Sequence, residues 1–120
     1  MKVLLAEDEQ DLQLITRLAL EDAGYEVTAV GDGLAVLDAL RHQNFDVVLL
    51  DVMMPRMDGF TAFAELRRNP ATQHVPVIFL TAKPQIAAVS ASPANDANGY
   101  ILKPFDIHTL AERVSALLGK

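Results

Sequence analysis

Five residues with carboxylate, hydroxyl or ammonium side chains directly follow short apolar runs of the sequence. Glu7 and Asp8 follow the first run, Asp51 follows the third, and Thr81 and Lys103 follow the fourth and fifth. Three carboxylates brought together would repel one another and raise one pKa unless a cation lay among them. Mg²⁺ suits such a site, because it binds octahedrally to waters, one or two carboxylates and a phosphate oxygen. A hydroxyl and an ammonium suit the other oxygens of a phosphoryl group, so the set predicts phosphoryl transfer to a carboxylate.

Each of these residues also has an ordinary structural interpretation. Acids after a strand often only stabilise the N-terminus of the next helix. Asp51 alone is as readily a charge at a strand end, Thr81 could cap a helix, and Lys103 with Pro104 could form a simple turn. Their joint placement after four apolar runs within 120 residues favours a functional site.

The elements that must position these residues can be predicted from the apolar pattern. Short apolar runs alternate with longer amphipathic segments, which is typical of a parallel α/β sheet with helices on both faces. The predicted strands are 2–6, 26–30, 47–50, 77–80 and 100–102. Helical spacing joins Leu12, Ile15, Leu18 and Ala19; Val36, Leu37 and Leu40; Phe60, Phe63 and Leu66; and Ile107, Leu110, Ala111, Val114, Leu117 and Leu118. Asp106 is the expected N-cap of the last helix.

The fourth helix is expected to be short. Pro93 disfavours helical geometry at the residue before it, so the helix should end by about Ala91. The segment 85–91 carries no charge. Ile86 and Val89 are spaced to face the sheet together, which leaves small residues on the outer face.

Composition excludes several classes of protein. At 120 residues the chain should form one domain, 1–120. No apolar run approaches the ~20 residues of a membrane span, so we expect a soluble, cytoplasmic protein without membrane contact. Its net charge of -6 has the wrong sign for binding nucleic acid unaided. The absence of cysteine excludes disulfides and thiolate metal sites.

The sequence resembles the receiver domain of bacterial two-component response regulators, and in particular the chemotaxis-regulator type, over its whole length. The segments that carry the resemblance are KVLLAEDE, DVVLLDVMMPRMDG, VPVIFLTAK and GYILKPF. The resemblance implies a flavodoxin-like, doubly wound parallel sheet of five strands in the order 2-1-3-4-5. It also implies a cis peptide bond between Lys103 and Pro104.

The resemblance further implies a role for each site residue. Asp51 would be the phosphoacceptor and, with Asp8, a direct ligand of Mg²⁺ or Mn²⁺. Glu7 would bind the metal through a water, and the backbone carbonyl of Met53 would complete the protein ligands. By the same resemblance, Thr81 would donate a hydrogen bond to the phosphoryl group and Lys103 would form an ion pair with it. Tyr100 would be the aromatic switch residue that is coupled to Thr81.

The function that the resemblance implies is a phosphorylation-activated switch and not an enzyme acting on other molecules. A sensor histidine kinase or phosphotransfer protein would supply the phosphoryl group. The face formed by the fourth helix, fifth strand and fifth helix would then change, controlling an unknown output partner or pairing two copies of the chain. Because the chain ends at Lys120, just after the last helix, we expect either a stand-alone regulator or a receiver from a longer protein.

Two other classes of function compete with this one. A Mg²⁺-dependent phosphohydrolase with an aspartyl-phosphate intermediate, of the haloacid dehalogenase type, needs a second acid two residues after its nucleophile. Met53 occupies that position here. A flavodoxin-like redox module needs a phosphate-cradling loop after the first strand, where the acidic segment AEDEQ would repel a flavin phosphate.

Overall fold

Five strands alternate with five helices in a computed structural model, which describes residues 1–91 and 96–120. The strands are β1 (Lys2–Ala6), β2 (Glu26–Val30), β3 (Val47–Asp51), β4 (Val77–Ala82) and β5 (Gly99–Lys103). The helices are α1 (Gln10–Asp22), α2 (Gly33–His42), α3 (Gly59–Arg68), α4 (Lys83–Ala91) and α5 (Leu110–Leu117). All strand pairs are parallel and their order is β2-β1-β3-β4-β5, which confirms the predicted flavodoxin-like fold.

The topology places the ends of four strands at one edge of the sheet. Strand β1 lies between β2 and β3. The chain passes from β1 to β2 on one side and then crosses over to β3 on the other side, so the strand order reverses between β1 and β3. In sheets of this kind the ligand crevice lies beyond the carboxyl ends of the strands at that point. Ala6 pairs with Leu50, and Ala82 pairs with Lys103. Residues at the ends of β1, β3, β4 and β5 therefore lie around one crevice.

Three strands run further than predicted, and the added residues belong to the candidate site. Asp51, Thr81 and Lys103 lie within β3, β4 and β5 and do not follow them. Ladder hydrogen bonds therefore hold the backbone of each residue. This fixes the starting direction of three functional side chains more tightly than a loop would.

Apolar side chains fill both sides of the sheet. On one side the strands pack against Val36 of α2, Phe63 of α3 and Val89 of α4. On the other side they pack against Leu20 of α1 and Val114 of α5. The inner strands β1, β3 and β4 are buried on both faces, which explains why they read as nearly continuous apolar runs, whereas the edge strands β2 and β5 are only partly buried.

The apolar stripe predicted for the first helix does not all face the core. Ile15 and Leu18 remain 45% and 51% exposed, whereas the buried residues of α1 are Thr16 and Leu20. Apolar residues occur nearly all around this helix, since Leu14 is also exposed. Helical spacing alone therefore did not identify which face packs against the sheet.

The prediction that Asp106 caps the last helix was wrong. Residues 107–109 form a turn, and α5 begins only at Leu110, after Thr109. The carboxylate of Asp106 accepts a hydrogen bond of 2.8 Å from the His108 amide, and its carbonyl accepts one of 3.2 Å from the Thr109 amide. Asp106 therefore stabilises the turn that leads into α5, one turn before regular helical bonding begins.

Helix α4 has the predicted apolar and small faces. Val89 is buried and Ile86 is half-buried, while Ala87, Ala88 and Ser90 are exposed. The helix reaches Ala91, and the predicted effect of Pro93 lies outside the described residues. None of the helices in the described ranges is both long enough and apolar enough to cross a membrane.

Candidate functional site

Asp51 lies at the end of β3 with only 5% of its surface exposed. The next helix approaches it closely, because the Gly59 amide donates a 2.9 Å hydrogen bond to the Val52 carbonyl. A Cβ atom at Gly59 would collide with the backbone carbonyl of Asp51. The side chain of Asp58 caps α3 by accepting 2.8 Å from the Thr61 amide. The DG pair at 58–59 therefore sets the position of the helix against the Asp51 backbone.

Glu7, Asp8 and Asp51 form a cluster of carboxylates at the crevice. One oxygen from each lies within 4.8 Å of the other two. Glu7 is 1% exposed, whereas Asp8 is exposed to solvent. The backbone that carries the two acids is held by a 3.0 Å hydrogen bond from the Glu7 amide to the Val30 carbonyl. The predicted convergence of the three acids thus exists in the structure.

Lys103 connects two of these carboxylates. Its Nζ donates to Glu7 Oε1 at 2.6 Å and to Asp51 Oδ2 at 3.0 Å. The Lys103 side chain is 21% exposed, whereas the Glu7 side chain that it contacts is 1% exposed. Asp8 lies beside the two acids that Lys103 contacts. If all three acids are ionised, one ammonium does not neutralise them, and the cluster keeps an excess of negative charge.

The electrostatics of the cluster raise two pKa values. Burial raises the pKa of Glu7, and the Asp51 charge adds to this, against hydrogen bonds from Lys103 and the Glu9 amide. For Lys103, burial favours the neutral amine, but the hydrogen bonds and charges of Glu7 and Asp51 outweigh it and raise the pKa. Lys103 is therefore a persistent cation at this site, while Glu7 is the acid whose charge is disfavoured by its surroundings.

The carboxylates and Lys103 line an open cleft of about 350 Å³. Its lining residues are Glu7, Asp8, Glu9, Leu12, Asp51, Met53, Ala82, Gln85 and Lys103. Met53 is 61% exposed, and its amide lies 3.3 Å from Asp51 Oδ1. With a water occupying about 30 Å³, the cleft has room for a hydrated ion and a phosphoryl group.

The donor set in the cleft fits a hard divalent cation. Carboxylate oxygens of Glu7, Asp8 and Asp51 and the nearby backbone of Met53 are the oxygen ligands that Mg²⁺ or Mn²⁺ prefers. The excess negative charge would be offset by such an ion. Solvent exposure of Asp8 leaves room for the waters that Mg²⁺ retains.

Thr81 and Tyr100 are not among the residues that line the cleft. Thr81 is fully buried, and its hydroxyl lies 3.2 Å from the Ala82 carbonyl and 3.5 Å from Gln85 Oε1. Tyr100 is 42% exposed on β5. Thr81 pairs with Leu102, two residues beyond Tyr100, so Thr81 and Tyr100 are diagonal neighbours on one face of the sheet.

Sequence reasoning missed three polar residues that organise the site. Gln13 donates from Nε2 to the carbonyls of Glu7 (2.8 Å) and Val30 (3.0 Å), which ties the ends of β1 and β2 together. Gln85 accepts a 3.0 Å hydrogen bond from the Ala82 amide. Gln85 stands three residues after Ala82, where a capping box has its Glu or Gln, but Ala82 is not the Ser or Thr that completes the sequence signature, so only half of the signal was present.

The third missed residue is Arg56, in the loop between β3 and α3. Its Nη2 lies 3.0 Å from the carboxylate of Asp32, which is largely buried and also caps α2 through the Ala35 amide. Arg56 has a φ of 63°, a left-handed value uncommon for a residue other than glycine. The ion pair therefore fastens the loop that carries Met53 to the turn before α2.

The peptide bond between Lys103 and Pro104 is cis, as predicted.

Comparisons with known proteins identify the family. Residues 3–115 match the family model of the response regulator receiver domain. This chain belongs to the response regulator receiver family. The DNA-binding dual master transcriptional regulator RpaA of Synechocystis is 35% identical over 117 residues, which cover 98% of this receiver and 48% of that protein. The receiver thus spans about half the length of the curated relatives it matches.

Solved receiver structures agree with the fold. A chemotaxis response regulator of Vibrio cholerae has a TM-score of 0.88 and 31% identity, with 97% of each chain covered. The receiver domain of a sensor histidine kinase from Pseudomonas aeruginosa has a TM-score of 0.87 and 30% identity, covering 99% of this chain and 98% of that one. That structure holds a magnesium ion in its active-site cleft. The family is one of signalling switches, so the phosphohydrolase alternative is not favoured.

Proposed function

We propose that this receiver accepts a phosphoryl group on Asp51 in a reaction that requires Mg²⁺, and that this changes the surface formed by α4, β5 and α5. The observation that carries the proposal is the pairing of Lys103 Nζ with both Asp51 (3.0 Å) and Glu7 (2.6 Å) beside a third acid in an open cleft. A cation poised next to a nearly buried carboxylate is what transfer of an anionic group to that carboxylate requires.

The donor would be a phosphohistidine on a sensor histidine kinase or on a phosphotransfer protein. An oxygen of the Asp51 carboxylate attacks phosphorus, the new O–P bond forms, and the N–P bond to the imidazole breaks, so that the histidine leaves. Asp51 needs little activation for this step, because phosphoryl transfer depends chiefly on position and charge. The strand ladder that includes Asp51 supplies the position.

Metal binding is assigned to the acid cluster. Asp8, Asp51 and the Met53 carbonyl would be direct ligands, and Glu7 would act through a water. A bound Mg²⁺ supplies positive charge that offsets the charge of the transferred group. Lys103 supplies the second cation, and Glu7 holds its ammonium at the cleft.

The response to phosphorylation is assigned to Thr81 and Tyr100. A hydroxyl drawn from its present hydrogen bonds toward the phosphoryl group would vacate space beside β5. Tyr100, the diagonal neighbour of Thr81, would fill that space and lose its exposure. The surface of α4, β5 and α5 would then differ between the two states and could bind an output partner or a second copy of the chain.

The outer face of α4 has a composition that would shape this recognition. Its exposed residues Ala87, Ala88 and Ser90 are small and uncharged. Close packing would dominate binding there, and ionic strength would affect it little.

Mass spectrometry after mixing the protein with acetyl phosphate and Mg²⁺ tests the proposal. We expect one added phosphoryl group in the wild type, none in Asp51→Asn, and wild-type uptake in the matched control Asp22→Asn, which changes an exposed acid. Uptake by Asp51→Asn at the wild-type rate would refute the assignment. Continuous release of phosphate at a rate far above slow self-dephosphorylation would indicate a hydrolase.

A further inference from the structure

Gln85 lies in the first turn of α4 with its carboxamide on the wall of the cleft. Its Oε1 accepts a 3.0 Å hydrogen bond from the Ala82 amide and lies 3.5 Å from the Thr81 hydroxyl. Ala82 immediately precedes α4, so this contact is half of a capping box, in which a side chain of the first turn satisfies the N–H before the helix. Capping explains the contact as far as helix stability is concerned.

The Ala82 N–H that Gln85 occupies belongs to a residue on the wall of the phosphorylation cleft. Ala82 and Gln85 line the same cleft as Asp51 and Lys103. Thr81 lies between Ala82 and Leu80, the residue that pairs with Asp51 across β3 and β4. A phosphoryl group on Asp51 would bring oxygens that only accept hydrogen bonds close to the Ala82 N–H and the neighbouring Thr81 hydroxyl.

We propose that Gln85 is an internal competitor of the phosphoryl group. This inference rests on the proposed phosphorylation of Asp51. In the unphosphorylated protein the Gln85 oxygen holds the Ala82 N–H and lies 3.5 Å from the Thr81 hydroxyl, whose nearer acceptor is the Ala82 carbonyl. When Asp51 is phosphorylated, the phosphoryl oxygens take over these donors, and Gln85 is displaced.

Charge decides the direction of this exchange. A neutral carboxamide oxygen is a weaker acceptor than an anionic phosphoryl oxygen, whose hydrogen bonds are roughly twice as strong. Gln85 therefore keeps the donors only while Asp51 is unmodified. Its displacement removes the cap from the first turn of α4, which couples the modification to the helix that carries the small, uncharged face.

Two substitutions with opposite expected effects test the competition. Gln85→Ala removes the competing oxygen, so we expect phosphoryl uptake from acetyl phosphate to be about fivefold faster, the rate equivalent of one ordinary hydrogen bond. Gln85→Glu keeps an oxygen that accepts from Ala82 and adds a negative charge in the cleft. Uptake by Gln85→Glu should be slower than in the wild type by a similar factor.

A purely capping role predicts a different pattern. Removing the cap would then only weaken α4, so Gln85→Ala would be unchanged or slower, and Gln85→Glu would be slowed by its charge alone. Faster uptake in Gln85→Ala is therefore the result that separates the two roles. Val89→Ala serves as the control, because it removes packing between α4 and the core and keeps the Gln85 side chain. An equal acceleration in Val89→Ala would also overturn the competition, since loosening of the helix would explain it.

The outcomes separate this inference from the proposed function. If the wild type acquires no phosphoryl group on Asp51, the proposed function fails and the competition fails with it. If the wild type is modified on Asp51 but Gln85→Ala is not faster, only the role of Gln85 is refuted. Faster uptake in Gln85→Ala together with slower uptake in Gln85→Glu supports both.

Discussion

The ammonium of Lys103 is held more closely by Glu7, at 2.6 Å, than by Asp51, at 3.0 Å. The cation of the site is therefore anchored on a carboxylate other than the one proposed to react. This arrangement leaves one Asp51 oxygen free of the lysine, since only Oδ2 contacts Nζ. It also makes Glu7 a positioning residue for Lys103, because the Glu7 carboxylate fixes where the ammonium lies.

Replacing Glu7 with glutamine should change how stability depends on pH. The pKa of Glu7 is raised in the folded protein, mainly by burial. A raised pKa means that protonated Glu7 contributes stability at low pH, and this contribution is lost as pH rises through the folded-state pKa. Without Mg²⁺, Glu7→Gln should therefore unfold at a higher temperature than the wild type at neutral pH, and the difference should shrink as pH falls.

The matched control for this experiment is Glu26→Gln, which changes an exposed acid on β2. Its effect on the unfolding temperature should be small and nearly independent of pH. A Glu7→Gln difference that stays constant with pH, or that grows on acidification, would contradict the raised pKa.

Lys103→Gln should destabilise the metal-free protein and increase its response to Mg²⁺. The substitution leaves the buried carboxylates without their cation, which should lower the free energy of unfolding by roughly 1–3 kcal/mol, less than for a fully enclosed pair. Added Mg²⁺ would replace part of the missing charge. Thermal unfolding with and without Mg²⁺ should thus show a larger metal-induced shift in Lys103→Gln than in the wild type or in the exposed Lys120→Gln control. Equal metal-induced shifts in all three proteins would contradict the idea that Lys103 and Mg²⁺ offset the same negative charge.

Gly59→Ala should disturb the site through the backbone. A methyl group there would collide with the Asp51 carbonyl and force α3 away from β3. We expect a loss of roughly 1–3 kcal/mol in the free energy of unfolding, as for overpacked positions, and slower phosphoryl uptake. Gly31→Ala is the control, because a Cβ at Gly31 meets nothing within 4 Å. Denaturant unfolding that finds the two variants equally stable would refute this explanation.

Met53→Asn should shorten the lifetime of the phosphorylated protein. Met53 is exposed on the cleft two residues beyond Asp51 and has no group that could orient an attacking water, whereas an asparagine amide could do so. Lys83, two residues beyond Thr81, is proposed to shield the phosphoryl group from the other side. The decay of the modified form after removal of the donor measures the lifetime, with Leu34→Asn as an exposed control on α2. An unchanged lifetime in Met53→Asn would exclude Met53 from this role.

Much of the fold could be predicted because the three inner strands, β1, β3 and β4, are buried on both faces and read as apolar runs. The predicted limits of 2–6 and 26–30 agree with β1 and with the edge strand β2. The gathering of Glu7, Asp51 and Lys103 followed from topology, since parallel strands bring their carboxyl ends to one edge. The sequence motifs that resemble the family indicated the strand order.

Other features depend on geometry that residue patterns do not encode. The apolar spacing of α1 is compatible with several packed faces, so the exposure of Ile15 and Leu18 could not be predicted. The contact of Gln85 with Ala82 requires a particular rotamer at a particular helix start. The pairing of Lys103 with Glu7 similarly depends on where side chains from the ends of β5 and β1 meet. These are distances of a few ångströms, and they emerge only once the chain has folded.

Borohydride reduction of the phosphorylated protein identifies the acceptor residue, because it converts an aspartyl phosphate to homoserine and so marks the residue that carried it. The protein is treated with acetyl phosphate and Mg²⁺, reduced, digested and sequenced by tandem mass spectrometry. We predict homoserine at position 51, and none there when Mg²⁺ is replaced by a chelator. Homoserine at position 8 instead, or equal labelling of position 51 with and without Mg²⁺, would contradict this account of the site.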